Sequence, residues 1–129
     1  MAQTSPVETF DGVKTRLLED AERPYGTVDR GLPLVVEPGA SSSFSALTGL
    51  LSSRSREIKE AVYEHGAVLF RGFAVGSERD FEQAILSIQG VRAMESYFMP
   101  EQGRDLAAGT KSVFLTNRYM KTGGSFAFN

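Results

Sequence analysis

The sequence predicts an α+β fold with helices packed on a mixed sheet, and three observations carry that expectation. Two short apolar runs, residues 34–36 and 67–70, have strand length and hold Val, Leu and Phe. Segments on either side of the second run repeat apolar residues at i, i+3, i+4 and i+7, the spacing of one helix face. A glycine follows each segment, Gly66 and Gly90, and glycine most easily takes the left-handed conformation that ends a helix.

Taken in order, residues 1–30 read as a polar N-terminal extension containing one short helix at 13–21, broken by Pro24, Tyr25 and Gly26. Leu34, Val35 and Val36 lie between Pro33 and Pro38, which limits them to a short strand. A Gly/Ser-rich loop, 39–43, follows and is too short for an interdomain linker. Ser53 or Ser55 can cap a helix whose buried face is Ile58, Ala61, Val62 and His65. Residues 67–70 are apolar at every position, so the expected strand is buried on both faces and central in its sheet.

The next helix opens at Ser77, with Asp80 three residues on as an acidic variant of the capping box. Its apolar face is Phe81, Ala84, Ile85 and Ile88, and burying Phe81 and Ile85 is expected to contribute about 1.5–3 kcal/mol each. Residues 96–99 and 112–116 have the pattern of short strands, separated by a loop at 100–110. Residues 121–129 are rich in Gly and Phe. The 129 residues read as a single domain.

Composition narrows the chemistry. There is no Cys, which excludes disulfides, thiolate zinc sites, iron–sulfur clusters and a Cys nucleophile within these residues. A single His means that these residues cannot by themselves build a two-His metal site. The 14 Lys and Arg against 16 Asp and Glu leave a net charge of −2, without the clustered basic excess that a nucleic-acid partner requires. The first ten residues lack a basic start and an apolar core of signal-peptide length, and no run reaches membrane-spanning length. A cytoplasmic protein with no membrane partner is the expectation.

Few residues point to chemistry by type and spacing. His65 stands in the last turn of its helix, where the dipole favours a cation, and reads as a helix-terminal residue. Arg71 and Arg104 can bind an anion through a guanidinium fork, but pairing with a nearby carboxylate is the commoner use of such an Arg. Glu57, Lys59, Glu60 and Glu64 read as a solvated helix face. Gly123 and Gly124 lack the Lys and Ser/Thr of a phosphate loop, and no Ser sits in a nucleophile elbow. No catalytic residue and no metal ligand is assigned. The stretch Leu115, Thr116, Asn117, Arg118, Tyr119 places small polar groups and an aromatic ring where a strand is expected to meet a loop. Ligand contact and turn formation by Asn117 both fit it.

Glu57 followed by His65-Gly66-Ala67-Val68-Leu69-Phe70-Arg71-Gly72-Phe73, and then Ser77, Asp80 and Phe81, resembles the N-terminal part of the taurine dioxygenase-like (TauD/TfdA) family. The similarity runs from Ser53 to Asn129, with residues 34–37 matching the family's early strand. Leu115 to Tyr119 resembles the segment that precedes the iron site in many members. The resemblance implies the N-terminal portion of a double-stranded β-helix (jelly-roll) oxygenase. It also implies Fe(II) and 2-oxoglutarate as cofactors of the complete family member, and hydroxylation or oxidation of a small organic acid or amino-acid-like substrate. In one subgroup the amino acid is bound to a carrier protein.

The same resemblance nominates Thr116, Asn117, Tyr119 and Asn129 as substrate-binding residues. Phe114, Phe126 and Phe128 would line the pocket or pack in the core. The family's His-x-Asp/Glu pair, distal His and cosubstrate-binding Arg have no counterpart here. The expectation is therefore a domain that stops before its iron ligands, binds neither cofactor alone and is inactive by itself. A non-catalytic binding domain and one half of a split oxygenase are the alternatives.

Overall fold

The computed structural model describes residues 12–23, 31–93 and 106–114. Strand β1 (Val13–Leu17) pairs antiparallel with β2 (Leu34–Pro38), and β2 pairs in parallel with β3 (Val68–Phe70). The sheet is mixed, in the order β1-β2-β3. Between β2 and β3 the chain makes two consecutive helices, α1 (Phe44–Ser53) and α2 (Ser55–His65); α3 (Glu78–Ser87) follows β3. The α+β class with helices on a small mixed sheet is thus present.

Residues 13–17 form a strand where the sequence reading expects a helix. The reason is local and tertiary together. Val13, Thr15 and Leu17 alternate with Lys14 and Arg16, and β-branched Val and Thr fit a pleated, half-buried surface. The antiparallel register sets Thr15 opposite Val36 and Leu17 opposite Leu34, so the alternating apolar set joins the core face. Only a single turn of 3-10 helix, Asp20–Glu22, follows.

Strand order also corrects the expectation for residues 67–70. Among the described residues β3 is an edge strand with all three residues half-buried, and β2 is central. In β2, flanked by a strand on each side, Leu34 and Val36 are almost wholly buried in the cluster shared with the helices, and Val35, on the opposite face beside Arg16, is buried as well. A run of three or four apolar residues reads alike in either position. Parallel pairing of β2 and β3 is extended at its ends by Leu34 N–H to Ala67 O (3.0 Å) and Arg71 N–H to Val36 O (2.9 Å).

Helix α1 supplies three of the eight buried residues of the core cluster, Leu47, Leu50 and Leu51 on one face, alongside Leu34 and Val36 of β2. The hydroxyl of Ser43 caps it, accepting from Ala46 N–H at 3.1 Å. Ile58 and Ala61 of α2 and Ala84 of α3 complete the cluster, and α3 packs chiefly on α1. Ser55 does not act as a helix cap. Its buried hydroxyl donates to Leu51 O (2.7 Å) and accepts from Gln89 N–H (2.9 Å), tying the exit of α3 to the junction of α1 and α2. Gly66 closes α2 in the left-handed conformation, φ 76°, as the sequence predicts.

The second periodic helix forms where expected but buries less. Ala84 is buried, whereas Phe81 is 52 % and Ile85 40 % exposed, so neither contributes the full burial energy anticipated for it. Three described strands and three helices leave this flank of α3 without a covering layer among the described residues. Ser77 caps α3 through Asp80 N–H at 3.1 Å, and the Asp80 carboxylate accepts from Gly76 N–H at 3.1 Å rather than from Ser77. The helix ends at Ser87, with Gly90 at φ 85° beyond it. Residues 96–99 lie outside the described residues. Of 112–116, Phe114 makes one antiparallel bridge to Leu106, and Ser112 and Val113 are not in a strand.

Candidate functional site

The face of the sheet turned away from the helices carries the charge. Antiparallel partners share a face, so Arg16 lies beside Val35, and Lys14 beside Glu37. Arg16 reaches diagonally to Glu37 (2.7 Å) and makes a two-pronged pair with Glu22 (2.8 and 2.9 Å). Arg71, immediately after β3, adds a bond to Glu22 at 3.1 Å. The hydrogen bond from Arg16, with a second from Glu19 N–H, holds the Glu22 carboxyl down to about 2. The hydrogen bonds that Arg16 donates to the two glutamates raise its pKa further, so it stays charged throughout. This network clamps the 3-10 turn across all three strands. Arg71 is accounted for by a carboxylate, the commoner of its two readings, and Arg104 lies outside the described residues.

His65 is placed by the end of α2. Its Nδ1 lies 2.9 Å from the carbonyl oxygen of Gly31, so Nδ1 carries the proton and donates. The ring thereby anchors the chain entering β2 to the helix terminus. Its Nε2 is 4.0 Å from the carboxylate of the adjacent Glu64. Among the described residues no group of three or more His, Cys, Asp or Glu could hold a metal ion, and the chain's single His cannot make a two-His set. These residues do not fit the iron centre that the resemblance implies for a complete family member.

The best-organised polar arrangement outside the sheet joins α3 to residues 106–114. Ala107 N–H bonds Val113 O at 2.8 Å, and the buried Thr110 hydroxyl lies 2.8 Å from Ala107 O, which closes this stretch into a compact loop. Glu82 then docks the loop onto α3. Its Oε2 accepts from Lys111 N–H (2.7 Å), Ser112 N–H (2.6 Å) and the Ser112 hydroxyl (2.7 Å). The Ser112 hydroxyl, ahead of the backbone donors, holds the Glu82 carboxyl below the usual range for its type. Successive backbone N–H groups of this kind form an anion-binding nest, here filled by the protein's own carboxylate.

Beside this latch is an open hollow of about 450 Å³ bordered by Arg79, Glu82, Gln83, Leu86, Ser87, Gly109 and Lys111. A second hollow, about 340 Å³, lies between the β1 entry and α1, lined by Val13, Ala46, Leu50, Ser53, Arg54 and Phe73 among others.

No protein-family model, curated protein or solved structure matches the chain.

Of the residues nominated from sequence, Thr116, Asn117, Tyr119 and Asn129 lie outside the described residues, as do Phe126 and Phe128. Phe114 is half-buried and bridges Leu106. Sequence reasoning did not single out Glu82, Arg79 and Lys111. The signal for the helical pair was the spacing Arg79, Glu82, Leu86 on one face of an otherwise apolar-read helix. That Lys111 and Ser112 would meet this face depends on a contact 29 residues away in sequence.

Proposed function

We propose that the chain forms the front portion of a TauD/TfdA-like oxygenase, contributing the helix–strand–helix framework and one wall of the pocket for a small organic-acid or amino-acid-like substrate. One observation supports this most directly. The segment that carries the resemblance has the order that the family's front half requires: α2 ending at His65-Gly66, β3 over residues 68–70 in parallel with β2, then a capped α3 at Ser77. Thr116, Asn117, Tyr119 and Asn129 are the residues that would meet substrate. The iron and the 2-oxoglutarate-binding Arg would have to be supplied by residues other than these 129.

The test begins with the coding sequence that follows codon 129 and with its neighbouring reading frames. A His-x-Asp/Glu pair followed by a distant His is the expected find; its absence from both places overturns the proposal. The polypeptide so completed, titrated without oxygen with Fe(II) and 2-oxoglutarate, should give a weak visible charge-transfer band. Asn117→Ala should then weaken substrate-dependent oxygen uptake without removing the band.

A non-catalytic binding domain is the second reading. It predicts a cooperative melt that Fe(II) and 2-oxoglutarate leave unmoved, in the completed polypeptide as well as in this chain.

A further inference from the structure

We propose that the hollow between α3 and the 106–114 loop binds a small organic carboxylate, held by the Arg79 guanidinium and the Lys111 ammonium, with its apolar part on Leu86. The site goes beyond the oxygenase reading and does not depend on it.

Helix geometry puts Arg79, Glu82, Gln83 and Leu86 along one side of α3, at i, i+3, i+4 and i+7. The loop lies against that side at Gly109, whose φ of +78° is a conformation other residues rarely adopt; a Cβ there would stand 3.5 Å from Arg79 Cδ. The stem of Arg79 is thus supported by backbone while its planar fork, which matches a carboxylate with two parallel donors, borders the hollow.

Among the described residues this pair, like Lys14 and Arg92, has no bonded carboxylate, and Arg79 and Lys111 are the two that share a hollow. Arg16, Arg56 and Arg71 each have a carboxylate within 3.1 Å. Neither the Arg79 nor the Lys111 side chain makes a hydrogen bond or ion pair among the described residues. The adjacent Glu82 feels the Lys111 charge but makes no hydrogen bond or ion pair with either cation, and its Oε2 is taken by the two loop N–H groups and the Ser112 hydroxyl. Asp80, on the preceding turn, is occupied by Gly76 N–H. The exposed Glu78 lies a full turn before Glu82 and does not border the hollow. Arg79 and Lys111 against Glu82 leave one net positive charge at the rim, which complements a monoanion better than a phosphate dianion. Leu86, 40 % exposed, offers the apolar surface that an inorganic ion would not use. The Ser87 hydroxyl proton is already given to Ala84 O at 2.6 Å, so Arg79, Lys111 and the Gln83 amide are the donors left for a ligand.

The experiment is a titration of the isotope-labelled chain with butyrate, followed by amide NMR at fixed ionic strength, with butylammonium and inorganic phosphate as separate arms. Butyrate should give saturable shifts at Gly109, Lys111 and Leu86. Arg79→Gln and Lys111→Gln should each weaken it about tenfold, the loss of one charged hydrogen bond, while Arg56→Gln on the far helix leaves it unchanged. The spectra themselves report whether each variant is folded. No saturation, an equal response to butylammonium, or an unaltered affinity in Arg79→Gln overturns the site. Tighter binding of phosphate than of butyrate overturns the carboxylate assignment.

Discussion

Glu22 grips Arg16 with both carboxylate oxygens, at 2.8 and 2.9 Å, while its Oε1 also accepts from Arg71 at 3.1 Å. A residue of the 3-10 turn thereby ties the first strand to the end of the third. The Glu22 carboxyl is held down to about 2 in the fold, below its ordinary 4.5. A lowered pKa contributes stability that is fully present above the unfolded value and is lost as pH falls through the folded one. Glu22→Gln should therefore melt below the wild type at pH 7, and the difference should close between about pH 4.5 and pH 2. Thermal midpoints of both proteins across that range check it; a gap that persists at pH 2 would mean that the carboxylate charge is not the source.

Core and flank should respond differently to truncation. Leu51 is almost wholly buried in the core cluster that also holds Leu34 and Val36, and Leu51→Ala should cost about 2–5 kcal/mol through lost burial and a cavity. Phe81 lies half in solvent, and Phe81→Ala should cost about 1 kcal/mol, roughly half the value of full burial. Urea unfolding midpoints of the two variants would reverse this ordering if Phe81 were a core residue.

Gly39 is required by a close approach of two backbones. A Cβ added there would stand 2.1 Å from the carbonyl oxygen of Gly12, with no flexible side chain to yield. Gly39→Ala should destabilise by about 1–3 kcal/mol, the usual cost of forced overpacking. Hydrogen exchange should show the loss concentrated in the β1–β2 pairing, and uniform exchange across the helices would contradict it.

Ser77 caps α3 through Asp80 N–H. Ser77→Ala should cost about 1 kcal/mol, while Ser77→Asp, which keeps an acceptor at the same position, should cost much less. Chemical denaturation of the pair separates loss of the cap from simple loss of a hydroxyl.

Glu82 holds the 106–114 loop through three donors on one oxygen. Glu82→Gln should speed exchange of the Lys111 and Ser112 amides without altering those of α1. Because the Glu82 carboxyl is held below its usual range, the wild-type protection should persist through mildly acidic pH and fade only on further acidification, whereas the Gln variant should be flat with pH.

Local elements were legible wherever a short pattern had one physical solution. Pro33 and Pro38 bounded the β2 strand, Gly66 ended α2, Ser77 began α3, and the Ile58–Ala61 spacing marked the face of α2 that reaches the core. Helix α1 carried the same signals, a capping Ser43 and Leu47, Leu50, Leu51 at i, i+3, i+4, but its Ser, Gly and Thr content masks them. The polar candidate site was not legible, because Glu82 meets Lys111 and Ser112 only through a contact across 29 and 30 residues.

The sequence by itself determined the α+β class, the ends of its better-capped helices and the exclusion of thiol and two-His chemistry within these 129 residues, since each depends on residue type or on neighbours within two helical turns. Local alternation and pairing with β2 together made residues 13–17 a strand; tertiary structure alone decided that β2 rather than β3 is central, that Phe81 stays exposed, and that Arg79 and Lys111 share one hollow. Strand pairing and side-chain burial are set by partners distant along the chain, and no local period specifies which partner arrives.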